Sequence, residues 1–232
     1  MQKKIATLGL TLGVLAAGVG VAGASTITWT GGALAGLGTT TISTQGAFVE
    51  AHNVGEATAT AAGPITFDAL AATPFTNTYL DFLPVGLTSN AAFDSVLDSG
   101  AWENAFTDAV LTLTGLTSGR TYLAQFFVAD TRDSFSTRTV TVIAGNSMTS
   151  GLLGLGWVFN GTFTADATTQ SITFRGGGTT EDSKYAYLNA SQLRDITAND
   201  RGIDAVPEPA TLVLFGTGLM GLAALRRRKA RR

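Results

Sequence analysis

Between residues 25 and 201 the chain is cut into short alternating runs of apolar and polar residues with turn formers between them, and this punctuation limits the fold more than any other feature. Alternation is visible in Thr26-Ile27-Thr28-Trp29, Ala109-Val110-Leu111-Thr112-Leu113, Gly161-Thr162-Phe163-Thr164 and Ser171-Ile172-Thr173-Phe174, and across 122–128 and 138–143. A period of two sends successive side chains to opposite faces of a strand. Thr, Val and Ile suit that pleated, half-buried surface. Gly115, Ser118-Gly119, Gly145-Asn146, Asn160-Gly161 and Gly176-Gly177-Gly178 supply the turns. Only 94–106 has the makings of a short helix. The expected fold is all-β: a single antiparallel β-sandwich or jelly roll over residues 25–200. Residues 138–142 are expected to lie beside 122–128. The chain has no cysteine. Disulfides and thiolate zinc sites are therefore excluded, and an apolar core must hold the domain together.

The two ends follow different rules. Lys3 and Lys4 precede an apolar run over 5–21, and Ala22-Gly23-Ala24 puts small residues at the −3 and −1 positions. This is the pattern of a secretory signal peptide, residues 1–24, cut between Ala24 and Ser25. It predicts passage through the Sec translocon and handling by signal peptidase. At the other end, residues 201–209 form a linker containing Pro207-Glu208-Pro209. Residues 210–225 form an uncharged, mostly apolar run, and 226–232 form a basic tail that includes Arg226, Arg227, Arg228 and Lys229. Sixteen helical residues reach about 24 Å at ~1.5 Å each, short of a hydrocarbon core of about 30 Å. Local thinning and arginine snorkelling cover that mismatch, so a transmembrane helix is expected. The basic stop stays in the cytoplasm. Each proline fixes φ and removes a donor, which keeps the triplet extended and out of any helix.

Residues 206–212, the Gly-interrupted apolar run and the basic terminus resemble, in that order and spacing, the PEP-CTERM sorting signal. The resemblance covers about the last tenth of the chain. It implies export in a Gram-negative bacterium and anchoring in the inner membrane. It also implies recognition of Pro207, Glu208 and Pro209 by an exosortase, a membrane enzyme linked to exopolysaccharide production, followed by release to the cell surface or matrix. The strand order and turn placement over 48–196 resemble, more loosely, the galactose-binding-like jelly roll of secreted carbohydrate-binding modules. That implies a fold and a sugar or polymer ligand such as exopolysaccharide.

Charge narrows the partners. The whole chain carries −2, yet residues 25–206 hold seven basic and sixteen acidic residues, a balance of −9. Such a domain is a poor partner for nucleic acid, whose phosphates demand positive charge. Three site readings follow. Trp102, Tyr185 and Tyr187 are candidate ligand-binding aromatics, with Trp102 placed in a loop and the two tyrosines on one face of a strand. Trp29 and Trp157 belong to the same aromatic set, with core packing as the alternative. Asp130 and Asp133, flanking Arg132, are candidate Ca²⁺ ligands, with an Asp–Arg loop network as the alternative; Glu181-Asp182 is a second acidic loop of this kind. His52 is the one histidine, and no Gly-x-Ser-x-Gly elbow accompanies it. The expected role is binding rather than catalysis. A matrix-acting hydrolase built on a carboxylate pair, or an adhesin with no small ligand, are the alternatives.

Overall fold

The computed structural model describes residues 25–70, 74–82, 86–177 and 184–197. The signal segment, the Pro-Glu-Pro triplet, the apolar run, the basic tail and Glu181-Asp182 lie outside these residues. No helix among the described residues is long and apolar enough to cross a membrane.

The described residues form fourteen strands and one α-helix. They are β1 (Thr28–Ala33), β2 (Ala47–Asn53), β3 (Thr60–Ala62), β4 (Ile65–Ala69), β5 (Asn77–Leu80), α1 (Ala91–Leu97), β6 (Ser99–Trp102) and β7 (Ala109–Leu113). There follow β8 (Thr121–Val128), β9 (Val140–Ala144), β10 (Asn146–Thr149), β11 (Trp157–Thr164), β12 (Gln170–Gly176), β13 (Tyr187–Leu188) and β14 (Ala190–Asp195). A seven-stranded sheet runs β1-β11-β8-β14-β2-β4-β3, a four-stranded sheet β10-β9-β12-β7, and a three-stranded sheet β13-β6-β5.

An interior strand of the large sheet, β8, lies between β11 and β14 and is buried from Tyr122 to Val128. Both of its faces are covered. Phe126 meets Phe174 of β12 at 5.2 Å, joining the two larger sheets, while the next residue, Phe127, meets Phe93 of α1 at 5.3 Å and Phe67 of β4 at 6.2 Å. A strand covered on both faces reads as a continuous apolar run, which is how 122–128 looks. The exception, Gln125, is 3% exposed and fully engaged: it donates to Thr41 O and Asn160 Oδ1 and accepts from Ser43 N.

The expected all-β sandwich is present, with three corrections. First, β9 is not the neighbour of β8. β8 pairs with β11 and β14, and β9 pairs with β10 and β12. The connection over 129–139 is too long for a tight hairpin and carries the chain across to the other sheet. Second, the sheets are not purely antiparallel, because β2 and β4 run parallel over His52↔Asp68 and Asn53↔Ala69. Third, the helix lies earlier than 94–106. Asn90 caps it by accepting from Phe93 N at 2.9 Å, and the buried Asp94 carboxylate accepts from Gly86 N and Thr88 N. It stops at Leu97, where the chain turns into β6.

One residue joins these parts. Asn189, fully buried between β13 and β14, accepts from Ala129 N at 2.7 Å and donates to Leu97 O at 2.8 Å and Ser99 O at 3.0 Å. Its own backbone bonds Phe127 O and receives Val54 N. Gly100 makes room for this, since a Cβ there would sit 2.9 Å from the Asn189 amide nitrogen. Asn189→Ala strips three buried backbone groups of a partner at once. At ~1–3 kcal/mol per orphaned group, a loss of about 3–5 kcal/mol is expected. Urea unfolding of the variant should show a lower midpoint with little change in slope.

Candidate functional site

The Asn189 junction positions an open cleft of about 290 Å³ lined by Tyr79, Trp102, Arg132, Phe135, Arg138, Tyr185 and Tyr187. Four chain segments meet there. Tyr79 comes from β5, and Trp102 closes β6, where it pairs with Tyr187 of β13. Arg132, Phe135 and Arg138 come from the crossover after β8.

The three candidate aromatics are therefore neighbours. Trp102 and Tyr185 meet edge to face at 5.2 Å, and Tyr185 and Tyr187 at 6.5 Å. The tyrosines share a face as expected, with Ala186 fully buried between them. Trp102 is corrected from loop to strand: Asn77 and Tyr187 flank it in the ladder. Trp29 and Trp157 do not line the cleft. Trp29 packs on Phe126 and Phe159, and both tryptophans are partly buried against the core.

Two arginines, absent from the aromatic set read in the sequence, complete the wall. The Arg132 guanidinium lies 4.7 Å from the Tyr79 ring, 4.6 Å from Phe82 and 4.4 Å from Phe135. The Arg138 guanidinium lies 3.8 Å from Phe135 and 4.9 Å from Tyr185, and its Nη1 donates to the Tyr187 hydroxyl. Phe135 is thus a ring shared by two cations, each contact contributing about 0.5–2 kcal/mol. The local signal for this arrangement was the spacing Arg132-x-x-Phe135-x-x-Arg138, which a turn brings together: Phe135 N bonds Arg132 O and Arg138 N bonds Phe135 O.

Asp130 sits beneath the cleft with no exposure. Its oxygens accept from Arg132 Nε at 2.8 Å and Nη2 at 2.7 Å, and Arg138 Nη1 lies 3.9 Å away. This fork holds the Arg132 pKa above its ordinary value. A cation placed on Asp130 would have to displace Arg132, and opening a buried pair costs about 3–5 kcal/mol. Asp133 is exposed on the same turn. Among the described residues no group of three His, Cys, Asp or Glu is arranged to hold a metal ion. The arrangement is the Asp–Arg network, with Asp130 as the counterion that orders the wall. His52 does not line the cleft; its Nε2 faces Glu50 Oε2 at 3.3 Å on β2.

The open cleft thus brings aromatic rings and fixed guanidinium donors together, the mix of apolar and polar groups that ligand sites use. The chain joins an all-β sandwich to a C-terminal sorting segment. More particularly, residues 205–229 match the PEP-CTERM protein-sorting motif, so the chain carries that motif. The motif implies export, a membrane-anchored sorting signal and processing by an exosortase.

No curated protein matches the sequence. Among solved structures, the chain is similar to a chain of the complex of the plant peptide RALF23 with FER and LLG2, with a TM-score of 0.51 and 12% identity over 66% of this chain and 50% of that one. It is also similar to the ANX1 ectodomain from Arabidopsis thaliana, with a TM-score of 0.49 and 13% identity over 63% of this chain and 41% of that one. The chain spans half or less of the length of these structures, and the likeness concerns the fold alone.

Glu103 secures the rim. It is 6% exposed, and it accepts from Thr76 N, Thr76 Oγ1 and Asn104 N, tying the entry of β5 to the end of β6. The Thr76 hydroxyl bond, then the Asn104 amide, hold its pKa below the ordinary carboxylate value. A depressed pKa stabilises the fold above the unfolded value of about 4.3, and that stability disappears as pH falls through the folded value. Glu103→Gln is therefore expected to lower the thermal midpoint at pH 7 and to flatten its decline below about pH 4. A decline as steep as that of the parent chain would remove Glu103 from this role.

Proposed function

We propose that this protein is an exported surface or matrix protein of a Gram-negative bacterium whose β-sandwich holds exopolysaccharide in the Trp102–Tyr185–Tyr187 cleft. The carrying observation is that these three aromatics, chosen as ring platforms by residue type, line one open cleft with two arginines. The PEP-CTERM motif supports the route. In this reading residues 1–24 direct translocation and are removed before Ser25. Residues 210–225 then retain the chain in the inner membrane, with 226–232 in the cytoplasm, until an exosortase acts near Pro207-Glu208-Pro209.

Among the described residues the lining contains no carboxylate, and Asp130 beneath it is committed to Arg132. Glycoside hydrolysis needs a facing acid pair about 5–9.5 Å apart. The rings and guanidinium groups of the lining are of the kind that hold a ligand. The Asp130–Arg132 fork supports a Ca²⁺-independent site.

Two experiments test the two halves of this reading. Deleting Pro207–Pro209 should leave the protein in the membrane fraction; unchanged processing and localisation would overturn the sorting half. On a glycan array, the full-length protein in detergent should bind a polysaccharide equally well with Ca²⁺ and with chelator. Trp102→Ala and Tyr185→Ala should each weaken that binding by about tenfold or more, as loss of a central aromatic contact does. Absence of binding to any glycan would favour an adhesin working through protein contacts.

A further inference from the structure

A second hollow, of about 470 Å³, opens where β2 and β4 part. It is lined by Thr44, Phe48, Pro64, Ile65, Thr66, Asp68 and Arg194. The two strands run parallel but pair only at His52↔Asp68 and Asn53↔Ala69, so the earlier part of each diverges. A register shift between Leu193 and Arg194 skips Val49 and sets Phe48 opposite Arg194. Bulges of this kind re-aim side chains. Here Phe48 is left 49% exposed, with its ring 6.0 Å from the Arg194 guanidinium.

Arg194 is the unusual member. It is 6% exposed, yet it forms no ion pair among the described residues. Nε donates to Gln45 O and Nη2 to Thr44 O and Gly46 O, all neutral carbonyls. Nη1 is buried and has no hydrogen-bond partner among the described residues. The adjacent Asp195 does not help, because it is committed to Arg120. Burial alone pushes the Arg194 pKa below its ordinary value. The carbonyl collar depends on Gly46, whose φ of +71° and approach to Asp195 O admit no side chain. A buried cation lacking a counter-anion and with one idle donor is costly, and chains keep such a group where something completes it.

The rest of the lining says what completes it. Phe48, Pro64 and Ile65 are apolar, while Thr44 and Thr66 offer hydroxyls. Asp68 adds a carboxylate, which repels a simple anion but accepts from ligand hydroxyls. The ligand must then carry an acid group, neutral hydroxyls and an apolar ring face. A further hollow of about 580 Å³ shares Thr44 and Pro64 with it and is bordered also by Thr39, Thr40 and Gln45, which offers length for more than one ring.

We infer that the β2–β4 groove binds an anionic saccharide, with Arg194 receiving its acid group, Phe48 its ring face and Asp68 its hydroxyls. The site is separate from the aromatic cleft and does not depend on it.

The test is calorimetric titration of the full-length protein in detergent with three oligosaccharides of equal length: oligogalacturonate, a sulfated galactan and a neutral galactan. At least one acidic oligomer should bind about tenfold or more tightly than the neutral one, as a charge-assisted bond requires; whichever is tighter identifies the acid group as carboxylate or sulfate. Hydrogen exchange should slow at 44–49 and 65–68 on binding. Arg194→Lys, which keeps the charge but loses the fork, should abolish the acidic preference. Phe48→Ala, at a half-exposed position that the fold tolerates, should weaken the acidic oligomer severalfold even if the arginine variant does not fold. Equal binding of acidic and neutral oligomers, no binding of any of them, or protection confined to other segments would overturn the inference.

Discussion

The buried amide of Asn189 is the contact on which the rest of this structure depends. Four chain segments end within its reach: β8 at Ala129, α1 at Leu97, β6 at Ser99, and β2 at Val54 through the Asn189 carbonyl. Each end has a backbone group with no ladder partner, and a buried group of that kind cannot be left unsatisfied. One side chain with an acceptor and two donors closes three of them. The consequence reaches the cleft, because its walls continue from these same ends. Tyr185 and Tyr187 precede Asn189, Trp102 follows Ser99 by three residues, and Arg132 follows Ala129 by three. The amide therefore sets the spacing of the aromatic and cationic walls.

Charge is handled differently in the two hollows. At the cleft, Asp130 is buried with Arg132 closed on it and Arg138 near by, so the guanidinium planes are held fixed against five rings. Ordering of this kind lowers the entropic cost of binding, because the donors are in place before a ligand arrives. At the β2–β4 groove, carbonyls orient Arg194 but do not neutralise it. The first arrangement suits a ligand recognised by shape, the second one recognised by charge. Both occur in a segment of net charge −9, where an uncompensated cation stands out from its surroundings.

Much of the body was legible. β7, β8, β11 and β12 carry Val, Ile, Leu and Phe at period two or in a continuous run, and they form where the pattern places them. β6 was hidden because Ser-Gly-Ala-Trp contains no branched residue; it is a strand only because Tyr187 and Asn77 flank it. β2 mixes Glu50 and His52 with apolar residues, and its parallel pairing with β4 is a long-range choice that leaves no local mark. Strand order failed at β9 because 138–143 looks the same whether it turns back on β8 or crosses to the other sheet. Trp102, Tyr185 and Tyr187 were found by residue type alone. Tyr79 and Phe135 were not, since their role comes from contact with Arg132, which read as a member of a solvated loop, and Arg138, which read as the start of a strand.

The burial of β8 on both faces also decides where binding can occur. A sandwich with one open face offers a broad, flat site across its strands. Here the second face is taken by α1 and by the 39–46 segment, which packs on Gln125, Gln192 and Arg194. The two hollows proposed as ligand surfaces lie where ladders stop: the end of the small sheet, and the fork between β2 and β4. Backbone groups and side chains there have fewer partners than in mid-sheet, so each site requires its own brace. Asn189 and Glu103 supply it at the cleft, and the Thr44–Gly46 carbonyl collar supplies it at the fork. A fold that covers its central sheet completely gains a large core, and its recognition surfaces must then be built from the ends of strands.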